Sequence, residues 1–165
     1  MLIRSATIED LPAILEIYND VICHSTAVYC DEPVDLEERQ RWFLHRKEAD
    51  FPVLVAEKQG NILGYASFGD FRAYPGFRYT VEHSVHLAAQ SRGQGIGTTL
   101  VQALLPLAAK MGKHVMVAGV DAANLGSIRF HERLGFNEVG RMPEVGFKFG
   151  RWLDLVFLQR KLEPC

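Results

Sequence analysis

Apolar residues along the chain follow two periods, and the switches between them lay out the elements. Residues 2–7 are short and partly alternating, as in a first strand. Leu11, Ile14, Leu15, Tyr18, Val21 and Ile22 then recur at helical spacing. Thr7 or Asp10 is the expected cap, and Pro12 favours Asp10, because proline is tolerated only in a first turn. Residues 35–49 repeat the helical period, with Leu36, Trp42 and Phe43 as the apolar side. Residues 51–58 and 62–71 read as strands around a turn at Gln59 to Asn61, which predicts a hairpin. Residues 78–87 form another strand, rich in β-branched and aromatic side chains. The next helix has Ile96, Leu100, Leu104, Leu107, Ala108 and Met111 on one side, and Pro106 is expected to kink or shorten it. A strand over 114–120 follows, then a short helix opened by Asn124 and closed by Gly135, then two strands. The order β-α-α-β-β-β-α-β-α-β-β predicts a mixed α/β sheet, paired first as a meander and then through crossovers.

Composition narrows the partners. The 165 residues are 48% hydrophobic and 23% charged, which fits one domain over 1–165 with a core that requires neither disulfide nor metal. A net charge of −2 argues against a nucleic-acid partner. Cys23, Cys30 and Cys165 are odd in number and lack metal-type spacing. Acidic residues stand near the N-terminus where a signal peptide would need an apolar run, and the longest apolar stretch is interrupted by Gln102 and Pro106. The expectation is a soluble cytoplasmic protein that does not enter the membrane.

The stretch between the residue 78–87 strand and its following helix carries the chemistry. Gly93, Gly95 and Gly97 fall at alternate positions. A dinucleotide loop, G-x-G-x-x-G, fails because Thr98 occupies the third glycine position, and a Walker loop fails because no lysine occurs between Lys58 and Lys110. What remains is Gln90-x-x-Gly93-x-Gly95. Glycines let main-chain N–H groups approach an anion, and the helix start adds unpaired donors and a positive dipole end. Together they can hold a pyrophosphate without lysine. A glycine-rich strand-to-helix turn of purely structural use is the competing reading.

This loop resembles that of the GNAT N-acetyltransferases, where it grips the pyrophosphate of acetyl-coenzyme A. The run "NLGSIRFHERLGF", residues 124–136, resembles the family's second coenzyme segment, N-x-x-[SA]-x-x-x-[YH]-E-x-x-G-F. Asn124, Ser127 and His131 share one helix face there, and Asn124 also suits an N-cap. The run "FRAYPGFRYTVEHSVHL", residues 71–87, is similar to the phosphinothricin acetyltransferase-like subgroup, which acetylates phosphinothricin, methionine sulfoximine and methionine sulfone. The resemblance implies a GNAT-type, largely antiparallel sheet flanked by helices, with a splayed central strand pair holding acetyl-CoA. It implies coenzyme contacts from Val85, His86 and Leu87, from Arg92, Gly93, Gln94, Gly95, Ile96, Gly97 and Thr98, and from Asn124 and Ser127. A β-bulge that frees an N–H for the oxyanion, and a homodimer, are implied in the same way.

Acetyl transfer to an α-amine also needs a base, since such an amine, with a pKa of about 8, is mostly protonated at neutral pH. Glu82 matches the subgroup's acidic residue, and a water relay is expected if burial does not raise its basicity; the bland alternative is a solvent-facing strand glutamate. His131 stands where many relatives have tyrosine, and it either protonates or hydrogen-bonds the leaving sulfur, or simply packs against the coenzyme. His83 and His86 lie three apart on a strand and so face opposite ways, which excludes a shared metal; no metal is expected. Arg72 is the candidate for a substrate carboxylate, with Tyr74 and Phe77 lining the side-chain pocket and Arg78 exposed. Trp42, Phe43 and Trp152 are expected in the core or an interface. The leading expectation is an amino-acid N-acetyltransferase. Its rivals are a protein or peptide N-acetyltransferase and a coenzyme-binding module without turnover.

Overall fold

In a computed structural model, which describes residues 1–163, strand alternation sorts side chains onto two faces of one sheet. The elements are β1 (Leu2–Ser5), α1 (Leu11–His24), α2 (Leu36–Glu48), β2 (Val53–Lys58), β3 (Asn61–Asp70), β4 (Thr80–Leu87), α3 (Ile96–Lys110), β5 (Val115–Asp121), α4 (Leu125–Arg133), β6 (Asn137–Lys148) and β7 (Arg151–Lys161). Their order is the expected one. Cys165 lies outside the described residues.

The seven strands run β1-β2-β3-β4-β5-β7-β6, antiparallel except for β4 beside β5. Val53 and Val55 of β2 pack with Leu11, Ile14 and Ile17 of α1 and Phe43 of α2. Leu54 and Ala56 point the other way, to Leu100, Leu104 and Ala108 of α3 and Ile128 of α4. Each face of the sheet is thus covered by one helix pair. The β2–β3 connection is a tight two-residue turn, with Gln59 at φ 53° and Gly60 at φ 79°. No helix among the described residues is long and apolar enough to cross a membrane.

Three local expectations need correction. Asp10 precedes α1, but its carboxylate does not cap that helix; it accepts the forked guanidinium of Arg4 at 2.7 and 2.8 Å and the Thr7 N–H at 2.8 Å. The buried side of α2 is Arg39 with Phe43, while Leu36 is exposed. Pro106 does not shorten α3, which runs on to Lys110. Both Pro106 and Gln102, whose carbonyl loses its helical donor, lie on the solvent side, where water can take over that hydrogen bond.

The feature that makes a site is the parting of β4 from β5. Their parallel ladder holds only over Thr80–Glu82 and Val115–Val117. Beyond Glu82, β4 stays paired with β3 as far as Leu87, and β5 stays paired with β7 as far as Asp121. The two strands diverge because each follows its outer neighbour. The bulge expected in β4 is not there: its ladder with β3 is regular from Gly64↔Leu87 to Asp70↔Val81. On the β5 side, main-chain groups of β4 beyond Glu82 therefore lack a strand partner.

Candidate active site

A cavity of about 420 Å³ threads this split, with residues of both sheet faces in its wall. On the α1/α2 side stand Tyr18, Arg39, Trp42, Arg46, Tyr65 and Glu82; on the α4 side stand Asn124, Ser127 and His131, with His83 and Val85 of β4. Glu82 sits at the head of the split, on the last paired residue of β4. Burial pushes its pKa up from the ordinary carboxylate value, and the Arg72 charge opposes that shift in part. A raised pKa makes the carboxylate a stronger base.

Gly119 of β5 is what lets Glu82 stand there. A Cβ at position 119 would lie 3.0 Å from Glu82 Oε1, tighter than an ordinary contact. The signal was present in the sequence as a glycine inside a strand, which marks a close approach. On the other flank, Gly69 is the register partner of Glu82, and the Arg46 guanidinium fills the space its side chain would take. Arg39, farther up α2, is buried, paired with Glu38, and lies over the rings of Tyr18 at 3.9 Å and Trp42 at 4.9 Å. Neither arginine was singled out by the sequence. The only hint was two arginines seven apart beside Trp42 and Phe43.

The histidines divide as strand alternation requires. His86 packs against Tyr18 and Tyr65 on the α1/α2 face, and His83 packs against His131 and Phe136 on the other. The His83–His131 contact, with ring centroids 5.1 Å apart, joins elements nearly fifty residues apart and could not be read from spacing. His131 Nδ1 donates to the Ser127 carbonyl at 2.7 Å, so in the neutral ring Nε2 is an acceptor, buried and without a partner. Both ring nitrogens of His83 are also buried and, among the described residues, unpartnered.

Burial holds all three imidazoles neutral, pushing His83 down to about 3, His86 to about 4 and His131 lower than usual. A lowered folded pKa gives stability that is complete above the unfolded value of 6.5 and is lost as pH falls below it. Each buried imidazole costs at most about 1.4 kcal/mol per pH unit in that range. Urea titrations are thus expected to show a falling unfolding free energy from pH 7 to pH 5, and His86→Phe should flatten the slope.

Beyond Leu87 the chain enters the glycine loop. Gly93 and Gly95 take φ of 75° and 77°, a left-handed conformation, with open space where side chains would project. Gly95 caps α3, so the N–H groups of Ile96, Gly97 and Thr98 open the helix free of intrahelical acceptors. A Cβ on Gly97 would touch Phe130 at 3.5 Å and Leu87 at 3.6 Å, so α3 packs closely on the end of β4. The loop adjoins the cavity without lining it. Arg92 is tied to Asp20 at 2.9 Å, and the Gln94 amide donates to the Gln90 carbonyl at 2.9 Å, so at these two positions it is the main-chain N–H that remains to offer. Asn124 caps α4, accepting from the Ser127 N–H at 3.0 Å, so the structural use foreseen for it is real.

A glycine loop with free main-chain N–H groups thus adjoins a split between parallel strands that has the Glu82 carboxylate at its head. A family model described as "Acetyltransferase (GNAT) family" matches residues 14–136. The chain belongs to the GNAT acetyltransferase family. An L-methionine sulfoximine/L-methionine sulfone acetyltransferase of Pseudomonas aeruginosa is 52% identical over 163 residues, 98% of this chain and 95% of that protein. A ribosomal-protein-alanine N-acetyltransferase of Brucella melitensis is 49% identical, with a TM-score of 0.97 over 98% of this chain and 100% of that one. A GNAT phosphinothricin acetyltransferase of Sinorhizobium meliloti, solved in complex with acetyl-CoA, is 34% identical, with a TM-score of 0.94 over 99% of this chain and 92% of that one.

The predicted acceptor residues are more scattered. Arg72 is exposed, lies over the Phe71 ring at 4.5 Å, and reaches Glu82 only through its field. Tyr74 is 75% exposed and Phe77 faces a different cavity, beside Phe71 and Phe157, so neither lines the Glu82 cavity within one chain.

Proposed function

We propose that this GNAT enzyme transfers the acetyl group of acetyl-CoA to the α-amine of small amino acids or their analogues, with methionine sulfoximine, methionine sulfone and phosphinothricin as the model acceptors. The single observation that carries the reading is that the split opens to both faces of the sheet at Glu82. Donor and acceptor can then enter from opposite sides and meet at one carboxylate.

In this reading the glycine loop and the first turn of α3 hold the pyrophosphate of acetyl-CoA. The unpaired edge of β4 at Val85, His86 and Leu87 holds its pantetheine arm through main-chain groups. Glu82 takes the proton of the acceptor amine as the amine attacks the thioester carbonyl, and a free N–H of β4 faces the developing oxyanion. A thiol with a pKa of about 8.5 leaves without a strong acid. The released thiolate takes its proton from solvent; since the Nδ1–H of His131 is committed to Ser127, its bare Nε2 cannot supply that proton and is suited to accept from the S–H once it has formed. Arg72, whose charge reaches Glu82 through its field, draws the anionic acceptor towards the cavity.

The test is thiol release over methionine sulfoximine, methionine sulfone, phosphinothricin, ordinary amino acids and an alanine-terminated peptide. Turnover confined to free amino acids supports the reading. Turnover confined to the peptide supports the alternative suggested by the Brucella relative's name.

We also propose a homodimer in the reducing cytoplasm, where Cys23 and Cys30 remain the free thiols they are here. What supports the dimer is an apolar face on the β6–β7 hairpin: Phe147, Phe149 and Trp152 are each more than half exposed, and Phe147 meets Trp152 with ring centroids 4.9 Å apart. A patch of this kind marks an interface. Trp152→Glu should shift sedimentation from dimer to monomer.

A further inference from the structure

Arg46 is a cation that forms no ion pair among the described residues; the charge of Asp70 reaches it only at a distance. It reaches over β3 because Gly69 has no side chain, and Gly69 is the register partner of Glu82. Register partners project from the same face of a sheet, roughly 5 Å apart. The guanidinium therefore stands beside the base, in the wall of the same cavity. Its Nε is buried with no acceptor, and among the described residues it forms no ion pair. The other two arginines near the cavity differ. Arg39 is neutralised by Glu38 and sandwiched by aromatic rings, and Arg72 is exposed over Phe71, where water screens it.

A half-buried guanidinium whose buried Nε–H makes no hydrogen bond is costly, and a fold that keeps one at a cavity wall leaves its anion to the ligand. We propose that Arg46 binds the α-carboxylate of the acceptor, so that amine and carboxylate of one amino acid are read together by Glu82 and Arg46. This deepens the amino-acid reading above and rests on it. The amine and carboxylate of an α-amino acid hang from one carbon, and two neighbouring positions on one sheet face match that short span. A planar fork is the group that suits a carboxylate. A peptide N-terminus presents an amide carbonyl in that place and leaves the cation unpaired. That loss is how a polar site rejects the wrong ligand.

Three acceptors separate the possibilities: L-methionine sulfone, L-norleucine, and the amine made by decarboxylating methionine sulfone. In Arg46→Met, KM for both amino acids is expected to rise about 100-fold, the scale for removing one partner of a buried charge pair. The efficiency with the decarboxylated amine should be unchanged. Arg46→Lys should recover part of the loss, since it restores charge without the fork. Gly69→Ala, which displaces the guanidinium but leaves α2 intact, should raise KM for both amino acids as well. Equal loss on all three acceptors would overturn the proposal, as would a loss confined to methionine sulfone, which would assign Arg46 to the sulfone. An unchanged KM in Gly69→Ala together with Arg46→Met would also overturn it.

Calorimetry of L-methionine sulfone binding to the enzyme–coenzyme A complex separates this proposal from the one it rests on. Binding that depends on Arg46 with no turnover keeps the carboxylate site and removes the amino-acid acetyl-transfer reading. Turnover that is indifferent to Arg46 does the reverse, and absence of both binding and turnover removes the two together.

Discussion

Glu82→Gln is expected to lower kcat for methionine sulfone by about two to four orders of magnitude, the span of a general base, and to leave the affinity for coenzyme A the same. Glutamine keeps the size of the side chain and its place against Gly119, so the split and the glycine loop are left as they were. What it removes is the proton acceptor. The pH profile tells this loss from simple damage. In the wild type the base must be ionised, so activity rises with pH through the Glu82 pKa, which burial lifts above the usual carboxylate range. In the variant the amine must lose its proton to solvent, so the rate should climb towards the amine's own pKa of about 8. A variant whose profile parallels the wild type would remove Glu82 from the proton transfer.

The order of the elements was legible because each is amphipathic by itself: α1 has Leu11, Ile14 and Ile17 buried at helical spacing, and β2 sends Val53 and Leu54 to opposite cores. The glycine loop was legible because left-handed backbone ahead of a helix leaves its mark in the sequence as glycines. The acceptor side was not, because its parts meet only in three dimensions. Arg46 of α2 enters through a gap at Gly69 of β3, and Glu82 of β4 occupies a gap at Gly119 of β5. In each pair the glycine carried a local signal, but nothing in the chain names the side chain that fills it. The β6–β7 hairpin misleads more directly. Its pattern reads as phenyl groups inside and lysine outside, whereas Phe147 and Phe149 are exposed and Lys148 is fully buried. Binary patterning inverts there because the apolar face is turned away from the chain's own core.

That inversion leads to the second large effect. Lys148 Nζ donates to the carbonyls of Ile22 at 2.7 Å, Ser25 at 2.8 Å and Val28 at 2.7 Å. It closes the C-terminal end of α1, where free carbonyls and the negative end of the dipole favour a cation. It also fixes the segment that follows, whose Ala27 and Val28 line the active-site cavity and whose Thr26 hydroxyl donates to Asp121. Gly146, two residues earlier on the same strand face, leaves room for the Tyr29 ring, so the hairpin and this loop are fitted together at both points. Lys148→Met keeps the length and apolar stem of the side chain but strands three carbonyls, at least one of them deep in the fold. The expected cost is about 3 kcal/mol of unfolding free energy, read as a lower urea midpoint at an unchanged m-value. The loop borders the cavity through Ala27 and Val28, whereas the glycine loop does not line it. In the fraction that remains folded, KM for methionine sulfone should therefore rise while the affinity for coenzyme A holds. A loss of coenzyme affinity of the same size would mean that Lys148 supports the whole sheet rather than this wall.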